Sequence, residues 1–163
     1  NRDDLNTQDS QEPNAETYSL SVPLQTVQQM FKEEAVSKGL YLRVVNTTLQ
    51  TTAPPIVLMR ILTNLVSNAV KNTQSGGVVI GLHRATNSIC VCDSGVGMDT
   101  DALANFQQAY VKGAASKGHG LGLSVCFELA KKNAMPLTVC SQVGSGTVFS
   151  VSLANHMADD LRP

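Results

Sequence analysis

The stretch RILTNLVSNAVKN, residues 60–72, constrains the fold more than any other part of the chain. Leu58, Leu62, Leu65 and Ala69 recur at i, i+4, i+7 and i+11, the spacing of one face of an α-helix. At 3.6 residues per turn, Asn64, Asn68, Lys71 and Asn72 gather within about a third of the circumference on the adjoining face. Such a helix must press one face on a core while the amides face elsewhere. Asparagine is a poor helix former because its side chain competes for backbone hydrogen bonds, and solvated faces normally use Glu, Lys and Gln. A ligand would justify the cost: an amide carbonyl can complete the oxygen shell of magnesium, and the lysine ammonium can neutralise phosphate oxygens. A plain solvated face is the alternative reading.

The flanking sequence supplies a sheet for that helix. From Tyr18, YSLSV alternates as a short strand, and Pro23 opens a helix with Leu24, Val27, Met30, Phe31 and Ala35 at helical spacing, ended by Gly39. LYLRVV reads as a second strand. Pro54 and Pro55 then open the asparagine helix, which runs to about Asn72. After a turn at Gly76 and Gly77, VVIGL and SICVC form a strand pair that ends at Asp93. A glycine-rich turn, a short helix near Asp99 to Phe106, and a polar stretch from Gln107 to His119 that reads as a lid come next. A helix from about Leu121 and two strands, LTVCS and TVFSVSL, close the pattern. Paired strands with helices between them predict an α+β fold, a two-layer sandwich of a mixed sheet with helices on one face and one open cleft. Residues 1–16 are polar with hardly an aliphatic side chain and read as a linker, residues 17–154 as the domain, and residues 155–163 as a tail.

Bulk properties exclude several partners. The formal charge of -1 gives no electrostatic reason to expect nucleic acid or a membrane surface, so an anionic ligand must be held by local geometry. No apolar run approaches the roughly 20 residues needed to span a bilayer, and NRDDLNTQDSQEP lacks a signal-peptide core. Cys90, Cys92, Cys126 and Cys140 form no C-x-x-C pair and read as buried free thiols of a reducing compartment.

Three further segments carry chemistry. SICVCDSGVGM delivers Asp93 at a strand end, with Gly95 and Gly97 permitting a tight turn. A carboxylate there can accept a hydrogen bond from the exocyclic amino group of adenine and would repel the carbonyl of guanine, although D-x-G-x-G alone is also an ordinary strand-to-turn connection. In KGHGLGLSVCFELAKK, Gly118, Gly120 and Gly122 lead into an apolar helix whose free amides and dipole suit phosphate. His119 between these glycines reads equally as a ligand contact or an idle loop residue. VGSGTVFSV places Gly144 and Gly146 in a turn before Thr147, which by itself is a hairpin.

Taken in order, the four segments resemble the nucleotide-binding boxes shared by type II topoisomerases, Hsp90 chaperones, sensor histidine kinases and MutL proteins, over about Tyr18 to Leu153. NLVSNAVKNT is similar to the asparagine box of histidine kinases, DSGVGM to the first glycine box, GHGLGL to the second and GSGT to the third. The resemblance implies a Bergerat-type fold with a mostly antiparallel sheet, and ATP and magnesium as cofactors. It implies Asn68 as the magnesium ligand, Lys71 as a phosphate contact, Asp93 on adenine supported by Thr147, and phosphates at the amides near Gly120, Leu121, Gly122 and Leu123. Asn64, Asn72, Gly95, Gly97, Met98, Lys112, Gly118 and His119 complete the expected nucleotide contacts.

ATP-hydrolysing relatives carry a glutamate base four residues before the magnesium asparagine, where this chain has Asn64. An amide cannot take a proton from water, so transfer to an imidazole is the reaction implied, with Asn64 and Lys71 as its catalytic contributors. Two positions depart from the kinase pattern: Asn72 replaces a common aromatic residue, and FQQAYVKGAASKG, with Phe106, Tyr110 and Lys112, matches the phenylalanine box only loosely. His83, His119 and His156 do not sit in a helix before an acidic residue, so the phosphoacceptor is expected on a helical hairpin elsewhere in the same protein. A homodimeric, cytoplasmic sensor kinase, sometimes the cytoplasmic part of an inner-membrane protein, passing phosphate on to a receiver domain, is the implied whole. A related ATPase, an anti-sigma-type serine kinase and a degenerate nucleotide-binding signalling module are the alternatives.

Overall fold

A computed structural model describes residues 16–111 and 121–157. In chain order these form β1 (Tyr18–Ser19), α1 (Ser21–Ser37), β2 (Tyr41–Val44), β3 (Gln50–Thr51), α2 (Pro55–Asn72), β4 (Gly77–His83), β5 (Ser88–Asp93), α3 (Thr100–Val111), α4 (Leu121–Lys132), β6 (Leu137–Gln142) and β7 (Gly146–Ser152), followed by a 3-10 turn at Ala154–His156. The main sheet has the order β2-β4-β5-β7-β6. Only the β2–β4 pair is parallel; the other three pairs are antiparallel. The expected mixed, mostly antiparallel sheet is present.

Period-two patterning decides which face of the sheet is covered. Val78, Ile80, Ile89, Val91, Phe149, Val151 and Val139 share one face through the strand register and are all buried. Helix α2 packs on β4 and β5, flanked by α1 and α4. The opposite face carries Cys90, Cys92, Val148, Ser150, Thr138 and Cys140, half-buried or exposed. The helices therefore lie on one face, as expected.

Helix α2 is more deeply enclosed than its leucine stripe alone suggests. Ile61, Val66 and Val70 are buried along with Leu58, Leu62, Leu65 and Ala69, because the helix meets the sheet, α1 and α4 on separate sides. Each large apolar side chain buried contributes about 1.5–3 kcal/mol. Three asparagines cost at most about 0.7 kcal/mol each in helix propensity. Packing therefore sets the helix and leaves the polar stripe free for another use. Its last turn is closed from outside: the Thr73 hydroxyl donates to the Ala69 carbonyl at 2.7 Å, and the Lys38 ammonium donates to the carbonyls of Val70 at 2.6 Å and Lys71 at 3.2 Å.

The fold departs from the sequence expectations at four places. YSLSV is a strand only at Tyr18–Ser19; α1 starts at Ser21, two residues before Pro23. The Ser21 amide is held by the Ser19 hydroxyl at 3.2 Å, and Pro23 lies in the first turn, where no intrahelical bond needs its missing N–H. The short β1 pairs with β3, an element the sequence pattern did not reveal, and Met157 bridges to Thr51 beside it. Residues 107–111, expected in the lid, extend α3; the remainder of that stretch lies outside the described residues. All four thiols are free, but only Cys126 is buried. Strand alternation turns Cys90, Cys92 and Cys140 to the uncovered face of the sheet.

Candidate functional site

The site takes shape where β5 ends. Asp93 lies on the helix-covered face of the sheet, between Val78 of β4 and Thr147 of β7. Its Oδ1 accepts the backbone N–H groups of Gly95 at 2.9 Å and Thr147 at 3.2 Å. Oδ2 has no protein hydrogen-bond partner among the described residues, so one carboxylate oxygen fixes the side chain and the other is free for a ligand. Half burial raises the Asp93 pKa above the ordinary carboxylate value, and the two amide hydrogen bonds pull it partly back.

The turn after Asp93 is built around close approaches. A Cβ on Gly95 would lie 3.0 Å from Asp93 Oδ1 and 3.1 Å from the Asn72 carbonyl, so the end of α2 and the start of the turn are in contact. Gly146, with φ of +110°, passes so close to the Asp93 carbonyl that a Cβ would collide with it, and a Cβ on Gly97 would strike the Gln142 carbonyl. The Met98 amide, further along the turn, donates to the Ser141 hydroxyl at 2.7 Å.

Connectivity brings the asparagine stripe to the same end. Residues 73–76 join α2 to β4, whose Val78 pairs with Asp93, so the C-terminal half of α2 lies at the Asp93 end of the sheet. Asn64 and Asn68 are half-buried there, and Lys71 and Asn72 are exposed. The Asn72 side-chain amide donates to Asn68 Oδ1 at 3.1 Å. Helix α4 arrives from the other direction. Its C-terminus joins β6 through residues 133–136 at the far end of the sheet, where Leu137 pairs with Val151, so its N-terminus at Leu121 points toward the Asp93 end. The Leu123 side chain is buried in the core, which leaves only its backbone available to a ligand. Lys112, Gly118, His119 and Gly120 lie outside the described residues, as do the side chain of Tyr110 and that of Leu121.

Two hydroxyls that the sequence pattern did not single out tie this end together. Ser94 Oγ accepts the Gly77 amide at 2.9 Å and donates to the Ser75 carbonyl at 3.0 Å, clamping the α2–β4 turn onto β5. Ser141 Oγ lies 2.8 Å from Thr147 Oγ1. The signal for Ser141 was available in the hairpin register: a three-residue turn at Val143–Ser145 pairs Gln142 with Gly146 and hence Ser141 with Thr147. No comparable signal points to Ser94.

The sequence and the fold are both matched elsewhere. The sequence pattern of the histidine kinase-, DNA gyrase B- and HSP90-like ATPases matches residues 53–156. This chain belongs to that family. Among curated relatives, the adaptive-response sensory kinase SasA of Synechococcus elongatus is 32% identical over 108 residues, covering 62% of this chain and 28% of the relative. Full-length ShkA, solved in complex with AMPPNP, superposes with a TM-score of 0.68 at 26% identity, over 85% of this chain and 31% of ShkA. The catalytic domain of histidine kinase ThkA superposes with a TM-score of 0.69 over 85% of this chain and 95% of that domain; at 20% identity it shows the fold. The chain thus spans under a third of SasA and of ShkA, and corresponds to the ATPase-type catalytic domain of a sensor histidine kinase.

Proposed function

We propose that this domain binds ATP with magnesium and donates the γ-phosphoryl group to a histidine on a helical-hairpin domain of the same protein. The observation that carries the reading is the split of the Asp93 carboxylate, with Oδ1 saturated by two backbone amides and Oδ2 unpaired, at the end of the sheet toward which the C-terminal half of α2 and the N-terminus of α4 are directed. Oδ2 would accept the exocyclic amino group of adenine, and Asn68 and Lys71 would meet the phosphates. The donor set fits a nucleotide-borne magnesium: Asn68 offers one oriented amide oxygen, and no group of three acidic, histidine or cysteine side chains that could hold a metal occurs among the described residues. Magnesium characteristically takes one or two protein oxygens and completes its shell with phosphate and water. When bound it would supply charge neutralisation across the phosphates.

In the transfer, an imidazole nitrogen bonds to the γ-phosphorus as the bridging P–O bond breaks and ADP departs. The domain's own contribution is positioning and electrostatics: Asp93 and Thr147 fix the base, Lys71 meets developing negative charge, and Asn64 can orient but cannot deprotonate a nucleophile. The absence of a carboxylate at position 64 favours this transfer over hydrolysis. A homodimeric, cytoplasmic kinase that passes its phosphate to a response-regulator receiver domain is the whole-protein setting we propose.

Titration of the domain with a fluorescent ATP analogue, with and without magnesium, tests the reading. Binding that magnesium strengthens, that Asp93→Ala removes and that Asn68→Ala makes indifferent to magnesium is expected. Undiminished binding by Asp93→Ala would defeat the base assignment.

A further inference from the structure

The Ser141 hydroxyl has three polar neighbours and one proton. The Met98 N–H approaches it at 2.7 Å and can only donate; the Gly146 carbonyl lies 3.1 Å away and can only accept; Thr147 Oγ1, at 2.8 Å, can do either. One assignment satisfies all three contacts. Met98 donates into one lone pair of Ser141, Ser141 donates its proton to Gly146, and Thr147 must then donate into the second lone pair. Were the Ser141 proton turned to Thr147 instead, the Gly146 carbonyl would face a bare hydroxyl lone pair. The Thr147 proton is therefore consumed inside the protein, and Thr147 Oγ1 keeps only acceptor capacity for anything in the cleft. Thr147 is 8% exposed and in register with Asp93, so water competes little for it.

We infer that Ser141 is a positioning residue that sets base specificity: by taking the Thr147 proton it makes Thr147 Oγ1 an acceptor beside the free Asp93 Oδ2. The pocket then offers two acceptors to the ligand edge it meets, which suits an amino group and rejects a carbonyl. The amino group of adenine carries two N–H donors, one for each oxygen, whereas a purine with an oxo group in its place would set a single acceptor against both Asp93 Oδ2 and Thr147 Oγ1. This rests on the nucleotide reading above, which placed Asp93 and Thr147 on the base but gave Ser141 no part.

Calorimetric titration of the whole chain with ATP and with inosine triphosphate, both with magnesium, separates the two. Wild type should prefer ATP by at least about tenfold, the size of one mismatched buried hydrogen bond. Ser141→Ala frees the Thr147 proton, so the preference should narrow mainly because inosine triphosphate binds more tightly, and Ser141→Thr should restore it. A purely structural serine would weaken both nucleotides equally and leave their ratio unchanged; that result would overturn the inference. Where Ser141→Ala fails to melt cooperatively, Thr147→Val decides. Loss of about tenfold in ATP affinity with inosine triphosphate unchanged supports the acceptor role, whereas weaker inosine triphosphate with ATP unchanged would show that Thr147 donates. Wild type that binds ATP without discriminating against inosine triphosphate sinks the inference together with the Asp93 base assignment but leaves nucleotide binding standing, and wild type that binds neither sinks the nucleotide reading as well.

Discussion

Gly144 in the β6–β7 turn and Gly146 at the start of β7 both have positive φ and should respond very differently to alanine. Gly144 has φ of +81°, and a Cβ added there would have nothing within 4 Å, so Gly144→Ala carries only backbone strain. Strain in the left-handed region costs about 1–2 kcal/mol, and the lost freedom of the unfolded chain returns about 0.4–1 kcal/mol, for a net loss near 0.5–1.5 kcal/mol. Gly146→Ala adds a steric term. Its φ of +110° is further from the left-handed well, and its Cβ would collide with the Asp93 carbonyl while lying 2.8 Å from the Asp93 carbonyl carbon and 3.1 Å from Ser94 Cα. These are backbone atoms of a paired strand and its turn, and they cannot rotate aside. Overpacking costs about 1–3 kcal/mol, so the net loss should be about 2–4 kcal/mol. At about 2–4 °C per kcal/mol for a chain of this size, calorimetry should show Gly146→Ala melting about 4–16 °C below wild type and Gly144→Ala about 1–6 °C below. ATP affinity should fall only in Gly146→Ala, because relief of the clash displaces Asp93. Equal losses for the two variants, or full ATP affinity in Gly146→Ala, would refute the close-approach argument.

Lys38→Met should cost about 1–2 kcal/mol in stability, read from thermal melts, because two carbonyls at the end of α2 lose a charged donor while the aliphatic stem is retained. Asp93→Asn should melt at or above wild type at pH 7 in the absence of ligand. The folded pKa of Asp93 is raised by burial, so its contribution to stability is full below the ordinary carboxylate range and is lost as pH rises through the folded value; melts from pH 4 to 8 should show the two proteins converging in acid, and a lower-melting Asp93→Asn at pH 7 would contradict this. Alkylation followed by mass spectrometry should modify exposed Cys140 first and Cys126 last, because Cys126 is buried and its thiol is pushed up to about 12.

The elements with strong periodicity were legible in the linear sequence. The bounds of α2 follow from Pro54, Pro55 and the leucine repeat, and β5 follows from SICVC ending at Asp93. Asp99 marks the start of α3 and does accept the Ala102 amide at 2.7 Å. Weakly periodic pieces were not legible. The two-residue β3 carries no alternation to detect, and Ser21 and Val22 read as strand because their helical state depends on the Ser19 hydroxyl that holds the Ser21 amide and on α1 docking. The free thiols were misplaced for a similar reason: an apolar strand looks buried on both faces until the helices are known to cover only one.

The order of residues along the chain was enough to specify the chemical inventory of this domain: an amide stripe on a helix, a carboxylate at a strand end, glycines where backbones pass closely, and no carboxylate base at position 64. Local spacing encodes these because helical and strand periods are properties of neighbouring residues. Which oxygen of Asp93 is left free, which way the Thr147 proton points, and the closure of the asparagine helix by Lys38 were settled only by folding. Each depends on a contact between residues 32 to 54 apart in the chain, made only when the sheet registers lock and the helices dock.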